Sequence, residues 1–198
     1  MHADSPTVRT VTSADGTGIA YDRRGEGDPI VALHGGSGDR HHWEALAGRL
    51  AGEFAFVAVD RRGRGDSGDA EDYSLAREVA DARAVVEAVD GEVTLLGHSF
   101  GGLVALAAAP ETDIERLVLY EPAVLVGDHR EGPDLAARMR ACLEDGRRRD
   151  ALALFYREAG GIPDPDVLPF WPDEAPLDRV ETIVRENRAV ERFHVEDA

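Results

Sequence analysis

The chain has 198 residues, of which 43% are hydrophobic, and this length and composition predict one globular domain with a substantial core. The net charge of −17 argues against nucleic acid and anionic membranes as partners, because phosphate groups are bound by clustered bases. There is no apolar run of membrane-spanning length, no signal-peptide core at the N-terminus, and a single cysteine, Cys142, which leaves no internal disulfide. We therefore expect a soluble, cytoplasmic protein.

Short apolar segments alternate with amphipathic ones along the first two thirds of the chain. The segments with the length and composition of strands are residues 8–12, 18–22, 30–33, 54–59, 93–96 and 116–120. Helical spacing of apolar residues is found at residues 39–50, 75–89, 103–109, 134–145, 149–159 and 177–193. Asp15-Gly16 predicts a hairpin turn between the first two strands, and Ser74 is a suitable helix N-cap. The alternation predicts the α/β class, with a mostly parallel sheet covered on both faces.

Residues 97–101 read Gly-His-Ser-Phe-Gly, between a strand segment and a helix-forming stretch. A sharp strand-to-helix turn lifts the serine hydroxyl out of the sheet, and the flanking glycines make room where side chains would clash. The helix N-terminus directs its free N–H groups to an anion that forms there. The pattern predicts Ser99 as a catalytic nucleophile; the alternative is a glycine-rich turn with an idle serine.

A serine nucleophile also needs backbone donors that hold the oxyanion. Gly36, in His34-Gly35-Gly36, lies just past the strand at 30–33, where its N–H can face the site. Phe100 follows the nucleophile, and the N–H at that position is the usual second donor. We expect Gly36 and Phe100 to form the oxyanion hole, the alternative for Gly36 being a plain loop.

An acid and a base complete such a site. Glu121 ends the strand at 116–120, on the sheet edge where α/β proteins bind ligands, and is the candidate acid. Its alternative role is structural, at the turn that follows. A base that obeys the chain order Ser, acid, His is either His129 or His194, and we take His194 as the candidate.

Other histidines and one glycine-rich loop have simpler interpretations. His34 and His98 favour packing or hydrogen-bonding roles, and the pair His41-His42 has no carboxylate or cysteine partner at ligand spacing, so no metal is expected. Residues 63–68 spell Gly-x-Gly-x-x-Gly, but an acidic run follows where a dinucleotide site needs a helix. We interpret them as a loop near the mouth of the site, and expect no cofactor.

Three motifs together resemble the α/β-hydrolase superfamily. They are residues 34–36, residues 60–67 (Asp-Arg-Arg-Gly-Arg-Gly-Asp-Ser) and residues 97–102 (Gly-His-Ser-Phe-Gly-Gly), in the order and spacing of that superfamily. The similar branch contains small esterases, C–C bond hydrolases and cofactor-free haloperoxidase-like enzymes. The resemblance implies that Ser99 is the nucleophile and that Gly36 and Phe100 form the oxyanion hole.

The resemblance also implies a division of the chain and an incomplete fold. Residues 1–130 correspond to an α/β-hydrolase core of six strands, and residues 131–198 to a helical cap or lid. Members of the family continue with two further strands, after the last of which their catalytic histidine lies, so we expect a fold truncated before those strands. Glu121 occupies an alternative acid position, whereas His194 does not occupy the histidine position of the family.

The resulting expectation is a serine hydrolase that forms an acyl-enzyme on Ser99 with a small ester or related carbonyl substrate. The alternative is a catalytically incomplete fragment that binds a small molecule. The strand at 116–120 would be left as an open edge of the sheet, which favours a homodimer.

The acid excess predicts a protein that salt stabilises. A surface of one sign repels itself in dilute buffer, and at molar salt the Debye length falls to about 3 Å. We expect the melting temperature to rise steadily from low to molar KCl. An unchanged melting temperature would leave only the alternative for this composition, the arginine, alanine, glycine and aspartate bias of a GC-rich genome.

Overall fold

Six strands form one mixed sheet in the computed structural model, which describes residues 8–127 and 134–194. They are β1 (Val8–Thr12), β2 (Gly18–Arg24), β3 (Pro29–Leu33), β4 (Ala55–Val59), β5 (Thr94–His98) and β6 (Arg116–Tyr120). Their order in the sheet is β1-β2-β4-β3-β5-β6. The first two strands pair antiparallel, β2 runs antiparallel to β4, and β4, β3, β5 and β6 are parallel. This mostly parallel sheet confirms the predicted α/β class.

The helices follow the predicted segments. They are α1 (Glu44–Leu50), α2 (Leu75–Glu87), α3 (Phe100–Ala108), α4 (Leu135–Glu144), α5 (Arg148–Glu158) and α6 (Val180–Arg192). Ser74 caps α2 as predicted, its hydroxyl accepting the N–H of Arg77. The segment predicted as one helix from residue 39 begins instead with a 3₁₀ turn, Arg40–Trp43, because Asp39 accepts the N–H of His41 and tightens the first turn.

The central strands are buried on both faces because their side chains alternate between two packed layers. On one face, Ile30 and Ala32 of β3 pack with Phe56 of β4 and with Trp43 and Ala47. The intervening residues of β3 point to the opposite face, where α2 and α3 pack on each other and contact the sheet. This layering places the C-terminal ends of β3, β4 and β5 next to one another.

The chain divides into two compact units, Met1–Val124 with His194–Ala198, and Leu125–Phe193. The second unit contains α4, α5 and α6, which bury an apolar cluster around Met139, Leu152 and Ile183. Cys142 is buried in that cluster, as its position on the apolar stripe of a helix indicates. Within the described ranges no helix is both long enough and apolar enough to cross a bilayer.

The last strand, β6, pairs on one side with β5, and no strand pairs with its other side in residues 8–127 and 134–194. Val118 and Tyr120 of this strand are 45% and 55% exposed. The open edge expected from the sequence is therefore present among the described strands. The homodimer that it favours stays a prediction.

A buried aspartate organises the turn after β4. Asp60 has no exposed surface; it accepts the backbone N–H of Arg40 at 2.8 Å and that of Asp66 at 2.9 Å, and it also pairs with the Arg40 guanidinium. Gly65 has a φ of +49°, and a Cβ at this position would lie 2.0 Å from the Oδ2 atom of Asp60. Only glycine fits here without displacing the carboxylate.

We expect Gly65→Ala to lower the free energy of unfolding by about 2 kcal/mol or more, since left-handed backbone at a non-glycine residue costs on the order of 1–3 kcal/mol and the methyl group also disrupts a hydrogen-bonded carboxylate. Urea titration measures this change. The control is Gly48→Ala in α1, where a Cβ meets nothing within 4 Å. That substitution should stabilise the helix by about 0.5–1 kcal/mol. Equal effects of the two substitutions would contradict the packing argument.

Candidate active site

The turn between β5 and α3 holds Ser99 in a strained backbone conformation. Its φ of 52° and ψ of −120° lie outside the regions that residues with a side chain normally occupy. The helix α3 begins at the next residue, so Ser99 lies at a helix N-terminus. Such strain persists where the surrounding structure enforces it, and it is concentrated at functional sites.

Glycines around this turn let backbone segments approach more closely than side chains would allow. A Cβ on Gly97 would lie 2.3 Å from the carbonyl oxygen of Gly101, and a Cβ on Gly101 would lie 2.3 Å from a backbone carbonyl oxygen of β3. A Cβ on Gly102 would lie 2.9 Å from the Cα atom of Pro122. The flanking glycines therefore allow the close packing that was predicted for them from the sequence.

The last residue of β6 and the segment after this strand are joined to Ser99 by two backbone hydrogen bonds. The N–H of Ser99 donates to the carbonyl of Tyr120 at 3.1 Å, and its carbonyl accepts the N–H of Ala123 at 2.9 Å. These bonds bracket Glu121, which has a φ of 46° and an exposed side chain. The candidate acid thus follows a residue bonded to the backbone of the candidate nucleophile, and its catalytic role stays a prediction.

The loop after β3 packs against the same serine. A Cβ on Gly35 would lie 3.1 Å from the Cβ atom of Ser99 and 3.2 Å from the Nδ1 atom of His98. Gly36, the next residue, is buried. Phe100 opens α3, and the first N–H groups of a helix have no acceptor within it. The two candidate oxyanion donors are therefore on the two segments that meet at Ser99.

His34 holds this loop in place through both of its ring nitrogens. The Nε2 atom accepts the backbone N–H of Arg61 at 3.2 Å, so the Nδ1 atom carries the proton and donates to the carbonyl of Gly35 at 2.8 Å. The side chain is completely buried. Burial, together with the positive charge of Arg61, holds the pKa of His34 well below its usual value. The hydrogen-bonding role predicted for His34 is thus observed.

Two further histidines stack beside the turn. The rings of His42 and His98 are nearly parallel with centroids 5.0 Å apart, and the ring of Tyr120 lies 5.0 Å from that of His98 on β5. The Nδ1 atom of His98 is buried and has no hydrogen-bond partner among the described residues. Burial lowers the pKa of both histidines; the pKa of His98 is lowered further by His42, whereas the charge of Glu121 opposes this shift. Both rings therefore favour the neutral form.

The structure gives less information on the two candidate bases than on the candidate nucleophile. His194 follows the end of α6 and has an exposed side chain, and its role as the base stays a prediction. His129 lies outside the described residues. Within the ranges that the structure describes, no three histidine, cysteine or acidic side chains are grouped as a metal site would require.

The roles of the arginines after β4 were not predicted from the sequence, in which only residues 63–68 were interpreted, as a loop near the mouth of the site. Arg61 and Arg64 are each only 2% exposed, and both guanidinium groups reach the loop after β3. The Nε atom of Arg61 donates to the carbonyl of His34 at 2.9 Å, and the Nη2 atom of Arg64 donates to the carbonyl of Gly36 at 2.5 Å. The two cations thus hold the peptides on either side of the Gly35–Gly36 peptide, whose N–H is one candidate oxyanion donor.

Two acidic residues of α2 could have indicated from the sequence that arginines after β4 are buried. Glu78 and Asp81 occupy the face of the helix that packs inward and are both nearly completely buried. Buried acids need partners, and Arg61 and Arg62 pair with them at 2.9 Å and 2.6 Å. The helix α2 begins only at Leu75, so residues 63–68 lack the helix that a dinucleotide site needs, as the sequence analysis predicted.

The chain is similar to known proteins in sequence and in fold. A family model described as "Alpha/beta hydrolase family" matches residues 30–195, which is most of the chain. The crystal structure of an alpha/beta hydrolase from Sphaerobacter thermophilus superposes with a TM-score of 0.79 at 37% identity, over 92% of this chain and 73% of that one. The chain therefore belongs to the alpha/beta hydrolase family.

Curated relatives match over shorter stretches. Lipase LipV of Mycobacterium tuberculosis is 36% identical over 104 residues, covering 51% of this chain and 40% of the lipase. A serine hydrolase-like protein of Danio rerio is 33% identical over 134 residues, covering 64% of this chain and 40% of that protein. The chain thus spans about two fifths of the length of these curated relatives.

The buried neutral state of His34 predicts a loss of stability in mild acid. Below about pH 6.5 this histidine binds a proton in the unfolded chain but stays neutral in the folded protein. Its contribution therefore lowers the free energy of unfolding by up to about 1.4 kcal/mol for each pH unit of acidification. Urea unfolding between pH 7.5 and pH 5.5 measures the slope. His34→Gln should flatten it, whereas His41→Gln, at an exposed position, should not. The same slope in His34→Gln and the unsubstituted protein would contradict the assignment.

Proposed function

We propose that the protein is a serine hydrolase that acts on a small ester or related carbonyl substrate. The observation that carries the proposal is the strained backbone of Ser99 at the N-terminus of α3. A serine in that position exposes its hydroxyl beside helix N–H groups that stabilise negative charge. The proposal also draws on the relatives named as a lipase and as a serine hydrolase-like protein.

In the proposed mechanism, the Oγ atom of Ser99 attacks the substrate carbonyl while a base removes the hydroxyl proton. The N–H groups of Gly36 and Phe100 hold the oxyanion that forms. The tetrahedral intermediate then collapses, the alcohol leaves with a proton from the base, and an acyl-enzyme remains on Ser99. Water, deprotonated by the same base, attacks the acyl group and releases the acid.

His194 is proposed as the base and Glu121 as the acid that orients it. Glu121 is supported by its place beside the Ser99 backbone, and His194 by its position after the acid in the chain. We also propose that the helices α4 to α6 serve as a helical cap, by analogy with the helical caps of similar hydrolases.

A second candidate is a binding protein that keeps the pocket without turnover. It is favoured by one observation: the side chain of His194, the candidate base, is exposed. A small-molecule ligand that binds equally well to the unsubstituted protein and to Ser99→Ala, with no hydrolysis by either, would favour this function. Covalent turnover that depends on Ser99 would exclude it.

We expect Ser99→Ala to reduce hydrolysis of p-nitrophenyl acetate at least about a thousandfold, because removal of a serine nucleophile removes the acyl-enzyme route. The assay follows p-nitrophenolate in molar KCl, including the burst that acylation produces. Ser74→Ala is the matched control, since its hydroxyl caps α2 and has no place in the mechanism. Equal rates for Ser99→Ala and the unsubstituted protein would overturn the proposed function.

A further inference from the structure

One buried guanidinium contacts both segments that carry the candidate oxyanion donors. Arg61 follows β4 and is 2% exposed. It lies between the loop after β3, which carries Gly36, and the first residue of α3, Phe100. A charged side chain that is so deeply buried and that contacts both donor segments can fix the positions of the two donors.

The first contact fixes the peptide that presents the N–H of Gly36. That peptide joins Gly35 to Gly36, so the carbonyl of Gly35 and the N–H of Gly36 are the two ends of one dipole. Arg61 approaches this carbonyl with its Nη2 atom at 3.4 Å, and His34 donates to the same oxygen at 2.8 Å. Donors on the carbonyl oxygen polarise the peptide and strengthen its N–H as a donor.

A hydrogen bond shorter than the contact with Gly35 fixes the guanidinium against this loop. The Nε atom of Arg61 donates to the carbonyl of His34 at 2.9 Å, and the backbone N–H of Arg61 donates to the Nε2 atom of the same histidine at 3.2 Å. The side chain and the backbone of Arg61 thus both donate hydrogen bonds to His34, which precedes the two glycines. A rotation of the loop would break these bonds together.

The second contact is with Phe100. The guanidinium carbon of Arg61 lies 4.8 Å from the centroid of the Phe100 ring, which is the geometry of a cation–π interaction. The ring is buried, and its residue carries the other candidate donor at the start of α3. The same cation therefore fixes the side chain of one donor residue and the peptide of the other.

A buried carboxylate holds the cation itself. Glu78 on α2 is 1% exposed and accepts the Nη1 atom of Arg61 at 2.9 Å, and the hydroxyl of Tyr73 donates to the same carboxylate oxygen at 3.1 Å. Because the pair is shielded from water, salt screens it much less than it screens an exposed ion pair. The guanidinium is thereby kept in one orientation.

We propose that Arg61 is a positioning residue that sets both arms of the oxyanion hole, holding the Gly35–Gly36 peptide and the Phe100 ring in the geometry that the reaction needs. This inference rests on the proposed function, since it assumes that Gly36 and Phe100 receive the oxyanion. It adds a residue, Arg61, and its anchor, Glu78, to the site. The effect is exerted in the transition state, where the oxyanion forms, more than in substrate binding.

The test compares two equally buried arginines. Arg61→Lys keeps the charge but loses the planar group that reaches both segments, whereas Arg62→Lys alters a neighbour that pairs with Asp81 and Asp15. We expect kcat for p-nitrophenyl acetate to fall about 10- to 100-fold in Arg61→Lys, with KM changed less than about threefold. Arg62→Lys should keep kcat within about threefold of the unsubstituted protein.

A second variant keeps the inference testable if Arg61→Lys does not fold. Phe100→Leu removes the ring but keeps the backbone N–H, and should lower kcat severalfold while KM stays nearly constant. Arg61→Lys or Phe100→Leu with the kcat of Arg62→Lys would overturn the inference, while hydrolysis that still depends on Ser99 would leave the proposed function standing.

Amide NMR separates the two proposals if the unsubstituted protein shows no Ser99-dependent hydrolysis. That result overturns the proposed function and the role of the two donors in the reaction, and it leaves the placement of both segments by Arg61 to be tested. Arg61→Lys should then shift both the Gly36 and the Phe100 amide resonances, and Arg62→Lys should shift neither. If Arg61→Lys leaves both resonances unchanged, or if the two arginine variants shift them equally, the positioning role of Arg61 is overturned as well.

Discussion

The left-handed backbone at Ser99 is the constraint on which the candidate site depends. A residue with a side chain leaves this conformation unless its neighbours prevent it, and here backbone atoms of β3, α3 and the segment after β6 block the way. The glycines at 97, 101 and 102 make that close contact possible. Any side chain at these positions would push the segments apart and release the strain.

The same packing explains why buried charge is placed so close to the site. Segments that meet through glycine backbone leave carbonyl groups without strand or helix partners, and those groups need donors. Arg61 and Arg64 supply several donors each from a single side chain. Glu78 on α2 then compensates the charge of Arg61, and Asp81 compensates that of the neighbouring Arg62, so that paired charges support the loop after β3.

Much of this architecture could be predicted from local sequence signals. Strand and helix periodicity predicted the sheet, and the Gly-His-Ser-Phe-Gly pattern predicted the turn at Ser99, because each depends on residues within a few positions of one another. The 3₁₀ turn at Arg40–Trp43 could not be separated from α1 by periodicity, since both place apolar residues three or four apart.

The buried arginines could not be predicted in the same way. Arg61 and Glu78 are 17 residues apart, and their pairing depends on how α2 packs on the sheet. A run of arginines and glycines is by itself typical of an exposed loop. The useful signal was the acidic residues at 78 and 81 on a face of α2 that is otherwise apolar, because a buried acid requires a cation nearby. The base is a different case, since neither His129 nor His194 is fixed by a local pattern.

The most direct test of the account is covalent labelling of the intact chain with a fluorophosphonate, followed by mass spectrometry of its peptides. The reagent reports the one property that the strained turn is meant to create, an accessible and activated serine hydroxyl. We expect one adduct per chain, on the peptide that contains Ser99, and none in Ser99→Ala. An unlabelled protein, or an adduct that persists in Ser99→Ala, would contradict it.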